Sequence, residues 1–133
     1  MTGGSSAPAA PWVLVVDDDE TLLKVLAMRF ELEGFGVLSA NSGEVALEVA
    51  HARRPDVIVL DAMMPGISGL EVCRSVRASE VTADTPILML TAHGGLEFEA
   101  VAAGANRFIE KPFDLDELCE LVHSLAAMES PLV

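Results

Sequence analysis

Basic residues are scarce. Eight lysines and arginines stand against 21 aspartates and glutamates, a formal net charge of −13. Nucleic-acid binding draws much of its affinity from Lys and Arg neutralising phosphates, so this balance argues against direct binding to DNA or RNA. Cysteine is nearly absent. Cys73 and Cys119 are too few for a disulfide framework and read as buried, reduced thiols. Long apolar runs are missing too. None approaches the ~20 residues that span a bilayer, which excludes membrane insertion by such a helix. The segment Met1 to Pro11 is small and polar, with neither a basic patch nor a long apolar stretch. It reads as a disordered lead-in, not a signal peptide, so a cytoplasmic location is expected.

What is present is a regular alternation. The 133 residues fit one domain, expected over 12–128, with 129–133 as a tail or the start of a linker. Trp12 to Val16 is a continuous apolar run suited to a strand buried on both faces. It ends in Asp17, Asp18, Asp19 and Glu20. The pattern turns helical from Thr21 to Glu33 and stops at Gly34. Gly36 to Ala40 is a second candidate strand, and Ser42 to Arg53 a helix capped by Asn41 or Ser42. Val57 to Leu60 is the most strand-like stretch and runs into Asp61. Pro65, Gly66 and Gly69 mark a loop before a helix over Leu70 to Ala78. Ile87 to Leu90 ends at Thr91. A helix is expected over Gly95 to Ala103, a short strand at Arg107 to Ile109, and a last helix from Leu115 to Met128 capped by Asp114. Five βα units in series imply an α/β fold with a parallel sheet and helices on both faces.

Ligands of open α/β sheets bind at the carboxyl ends of strands, where the strand order reverses. Asp17 and Asp18 follow the first strand, Asp61 the third, Thr91 the fourth and Lys111 the fifth. Crowded carboxylates repel one another unless a cation joins them. Mg²⁺, with Mn²⁺ as a substitute, suits oxygen ligands that leave room for water and phosphate. One aspartate can then serve as a nucleophile that forms an acyl phosphate. Lys111 would supply positive charge and Thr91 a hydroxyl donor. Each residue alone has a plainer reading, as a helix-start charge or a turn residue. Their combination, in order, points to chemistry.

Four motifs carry a family resemblance. They are Val15-Val16-Asp17-Asp18, Leu60-Asp61-Ala62-Met63-Met64-Pro65-Gly66 with Gly69, Leu90-Thr91-Ala92, and Lys111-Pro112-Phe113. Together they resemble the signatures of response-regulator receiver domains, over about Val13 to Met128. The resemblance implies a flavodoxin-like (βα)5 three-layer sandwich with strand order 2-1-3-4-5. It implies Asp61 as phosphoacceptor, and Asp17, Asp18 and the Met63 backbone carbonyl as metal ligands beside Asp61. Lys111 would contact the phosphoryl group, Thr91 would be the switch hydroxyl and Phe108 the switch aromatic. A cis bond before Pro112 is typical of the family. The implied upstream partner is a histidine kinase or a histidine phosphotransfer protein. The downstream target is an unknown protein meeting the surface of the fourth helix, fifth strand and fifth helix. The chain would be a stand-alone receiver or a piece of a larger regulator. It would act as a phosphoacceptor signalling domain with self-catalysed phosphotransfer and dephosphorylation, not as an enzyme in the usual sense.

Some positions are less usual. Phe108 lacks a hydroxyl, so its inward state would gain from packing alone. His93, two residues beyond Thr91, reads as solvent-facing or as a proton-handling group. The first helix carries two apolar stripes, Leu23-Leu26-Ala27-Phe30 and Leu22-Val25-Met28-Leu32. A helix on a sheet needs one, so the second is either buried as well or a docking face. Two rivals remain. An aspartyl-phosphate phosphatase would need a second acid two residues after the nucleophile, where Met63 stands. A binding scaffold would need no phosphorylation at all.

Overall fold

The computed structural model describes residues 10–92 and 94–128. The sequence expectations at 1–9, at 129–133 and at His93 lie outside the described residues. Five strands and five helices alternate: β1 (Trp12–Val16), α1 (Glu20–Leu32), β2 (Gly36–Ala40), α2 (Gly43–Arg53), β3 (Val57–Asp61), α3 (Gly69–Ala78), β4 (Ile87–Thr91), α4 (Glu97–Ala103), β5 (Arg107–Glu110) and α5 (Leu115–Ala126). The strands form one parallel sheet in the order β2-β1-β3-β4-β5.

The strand sequences explain the layering. Side chains alternate between the faces of a sheet, so a strand covered on both sides must be apolar throughout. In β1, Leu14 and Val16 enter the core shared with α2, α3 and α4, while Val13 and Val15 enter the core shared with α1 and α5. The inner strands β3 and β4 are buried at every position. The edge strands β2 and β5 are only partly covered. In α1, Leu23, Leu26 and Phe30 form the buried stripe. The second stripe is not buried: Val25 is 42% and Leu32 83% exposed.

Most element boundaries agree with the sequence reading, and the differences have local causes. Asp19 caps α1, its carboxylate accepting from the Thr21 and Leu22 amides at 3.0 and 3.2 Å. Ser42, not Asn41, caps α2. The third helix begins at Gly69, one residue early, because Ser68 and Glu71 form a reciprocal capping box. The fourth begins at Glu97 instead of Gly95: Gly94 turns with φ +75° and Leu96 offers no side-chain cap. The last helix ends at Ala126, short of Met128. Asp61 and Thr91 are the final residues of their strands and not the first residues beyond them.

Candidate functional site

The strand order reverses between β1 and β3, since β1 leads outward to β2 and β3 leads the other way to β4. Asp17, just past β1, and Asp61, closing β3, therefore meet at the carboxyl edge of the sheet. Oxygens of Asp17, Asp18 and Asp61 all lie within 4.8 Å of one another. Asp17 and Asp61 are buried, whereas Asp18 is exposed. Lys111 reaches over from the end of β5. Its Nζ stands 3.0 Å from Asp17 Oδ2 and 3.5 Å from Asp61 Oδ2. The peptide bond that follows, Lys111-Pro112, is cis.

Backbone donors orient the acids. The Asp19 amide donates to Asp17 Oδ1 at 2.9 Å, and the Met63 amide to Asp61 Oδ1 at 3.3 Å. The close approach of α3 sets the floor of the site. A side chain on Gly69 would overlap the Asp61 carbonyl oxygen, so only glycine lets the helix start here. The sequence marked Gly69 as a loop residue; its contact partner is invisible without the fold.

Electrostatics is unfavourable to three ionised acids. Burial, and then the neighbouring Asp17, push the Asp61 carboxyl up to about 6, against the opposing pull of Lys111 and the Met63 amide. Burial works to lower the Lys111 ammonium, but its contacts with Asp17 and Asp61 outweigh that and hold its pKa above the ordinary lysine value. One cation thus faces three carboxylates. The site carries surplus negative charge and oxygen donors at a spacing that a divalent cation can bridge.

The remaining sequence candidates sit at the rim. Thr91 is buried at the end of β4, and its hydroxyl donates to the Ile109 carbonyl at 3.5 Å. It makes no hydrogen bond with Asp61 among those described. Phe108 is 38% exposed, with Ile109 beside it turned into the α1–α5 core. The Met63 side chain projects outward. A shallow apolar cavity of about 300 Å³ adjoins the site, lined by Leu22, Val25, Lys111, Pro112, Phe113 and Leu115. It joins the exposed stripe of α1 to the base of the lysine. Among the described residues no helix is long and apolar enough to cross a membrane.

Comparison with known proteins agrees with this geometry. A family model described as the response regulator receiver domain matches residues 13–123. Response regulator MprA of Mycobacterium leprae is 42% identical over 122 residues, 90% of this chain and 52% of its own. The DNA-binding dual master transcriptional regulator RpaA of Synechocystis is 36% identical over 117 residues, 86% of this chain and 48% of its own. The chain thus spans about half the length of the curated relatives it matches. Among solved structures, a putative response regulator from Chloroflexus aurantiacus superposes with a TM-score of 0.85 at 37% identity, covering 90% of this chain and 99% of that one. The match of sequence, strand order and acidic pocket leads to one conclusion: the chain belongs to the response regulator receiver domain family.

Proposed function

We propose that Asp61 accepts a phosphoryl group and that the domain signals through the change of surface that follows. The observation that carries this reading is the buried Asp61 carboxylate at the switch point of the sheet, with Lys111 Nζ at 3.5 Å and two further aspartates alongside. Asp17, Asp18, Asp61 and the Met63 carbonyl would hold Mg²⁺ or Mn²⁺. When bound, the metal supplies positive charge that offsets the carboxylates and the phosphoryl oxygens.

The chain's own groups divide the remaining work. An Asp61 carboxylate oxygen bonds to phosphorus as the bond to the leaving group breaks, and the leaving group departs with the electron pair. Lys111 neutralises phosphoryl oxygen charge, and its ion pair with Asp17 keeps it aimed at the site. Thr91 turns its hydroxyl from Ile109 to the new phosphoryl group. Phe108 packs into the space that is vacated. Attack of water on phosphorus later returns Asp61 and inorganic phosphate. The self-catalysed transfer and the later hydrolysis rest on these residues. Met63, an outward-facing thioether at the position where aspartyl-phosphate phosphatases place an acid, supports a single-turnover acceptor over a phosphatase.

The partner upstream is a histidine kinase or histidine phosphotransfer protein. The exposed Val25-Met28-Leu32 stripe and the adjoining cavity support α1 as its docking face. Downstream, a target protein would read the surface of α4, β5 and α5. The test is incubation with acetyl phosphate and Mg²⁺, read as an intact-mass gain of one phosphoryl group. The gain should vanish in Asp61→Ala and in the presence of a chelator. No gain under conditions that label a control receiver, and none from a histidine kinase donor, would leave a phosphorylation-independent scaffold.

A further inference from the structure

The described residues of the loop from β4 to α4 include two glycines and an uncapped helix start. The loop starts after Thr91, passes through Gly94 and Gly95, and enters α4 at an N-cap, Leu96, that has no side-chain acceptor. Gly94 turns with φ +75° in open space. Among the described residues, hydrogen bonds to β5 and the residue after it hold both ends of this stretch. The Lys111 amide donates to the Thr91 carbonyl at 2.7 Å. Further along, the Gly94 amide donates to Glu110 Oε2 at 2.9 Å. Glu110 is the register partner of Thr91 across β4 and β5 and directly precedes Lys111. One residue therefore lies backbone-to-backbone beside Thr91 while its carboxylate holds the loop three positions further on. A bond to an ionised acceptor is roughly twice as strong as a neutral one.

We propose that Glu110 is a positioning residue whose carboxylate, through the Gly94 amide, holds the β4–α4 loop and Thr91 in the resting arrangement, and so sets how readily Asp61 is phosphorylated. In that arrangement the Thr91 hydroxyl faces the Ile109 carbonyl at 3.5 Å. Bringing it to a phosphoryl group moves the strand end that the loop continues, and the Glu110 tie resists that movement. The effect on phosphorylation rests on Asp61 being the acceptor; the hold on the loop does not.

Glu110→Ala removes the acceptor, and Glu110→Gln keeps an amide oxygen in its place. Two readouts on the full chain separate the cases: hydrogen exchange at the Gly94 amide in unphosphorylated protein, and the rate of mass gain from acetyl phosphate with Mg²⁺. In Glu110→Ala, Gly94 exchange should rise about tenfold, the equivalent of one lost charge-assisted hydrogen bond, and labelling should quicken by about threefold to tenfold. Glu110→Gln should stay nearer wild type in both, with its thermal midpoint within about 2 °C of wild type and that of Glu110→Ala lower by no more than about 6 °C. Unchanged Gly94 exchange in Glu110→Ala would overturn the hold on the loop. Faster exchange with unchanged labelling would overturn its role in phosphorylation. Equal behaviour of the two variants would assign the effect to charge at position 110 and overturn the acceptor role. If wild-type protein takes no phosphoryl group, the acceptor reading of Asp61 fails first, and Gly94 exchange alone decides whether Glu110 holds the loop.

Discussion

At the scale of single residues the site is a balance of charges that the fold holds against their preference. Asp61 is raised to about 6 chiefly by burial and then by Asp17. An unfolded aspartate loses its proton near 4, so between about pH 4 and 6 the unfolded chain binds fewer protons at this position than the folded one. Stability must then fall as pH rises through that window, and the full penalty applies above it. Asp61→Asn removes the ionisable group. In chelator at pH 8 it should be more stable than wild type by up to about 3 kcal/mol in urea unfolding, with the advantage fading towards pH 4. Millimolar Mg²⁺ should raise the wild-type midpoint and leave Asp61→Asn less affected. Gly69 makes a second case. Its missing side chain lets α3 start against the Asp61 carbonyl. Gly69→Ala should cost about 1–3 kcal/mol by overpacking and slow acetyl phosphate labelling, whereas Gly95→Ala, where the added carbon meets the Ala92 carbonyl oxygen at an ordinary contact distance of 4.0 Å, should do neither. Asp17, Asp18, Asp61 and Lys111, which the structure brings together, were legible as candidates from their places after apolar runs. The need for Gly69 and the tie from Glu110 to Gly94 were not, because each depends on how one element is seated against another.

The elements show where periodicity is informative and where it is ambiguous. The all-apolar runs of β1, β3 and β4 announce strands covered on both faces, and they are. In α1 two stripes compete, and spacing alone cannot rank them. The fold buries Leu23, Leu26 and Phe30 and leaves Val25, Met28 and Leu32 outside. The reason is geometric: a helix lying on a sheet presents one face to it, and α1 also meets α5, where Arg29 bonds Asp116 at 2.6 Å. Val25→Glu should therefore leave the thermal midpoint within about 2 °C of wild type, since the position is on the surface. It should slow phosphotransfer from a histidine kinase while acetyl phosphate labelling, which needs no docking protein, stays unchanged. Loss of both reactions would show that Val25 supports the site and is no docking residue. Helix ends were less legible than helix bodies. Start points moved by one or two residues wherever capping side chains, such as Ser68 with Glu71, or their absence at Leu96, decided the matter.

For the molecule as a whole, a charge of −13 on 133 residues sets a field as well as a composition. Self-repulsion at this density destabilises the compact state and is screened by salt. The midpoint of thermal unfolding should rise by a few degrees between low and about 0.5 M NaCl in chelator, and a flat response would mean that local ion pairs already offset the excess. The sequence alone determined the class of fold, because apolar runs and helical periods are local properties of the chain. It also determined which residue types stand at strand ends, and through its motifs the family. It could not decide which strand neighbours which. Order 2-1-3-4-5 came from the resemblance, and the register is tertiary. Nor could it show that Asp17 and Asp61 lie under one lysine, that the Thr91 hydroxyl faces Ile109, or that Val25, Met28 and Leu32 of α1 stay exposed. Those facts follow from long-range packing, in which a side chain's surroundings are supplied by segments 18 to 94 residues away, and local pattern carries no record of them.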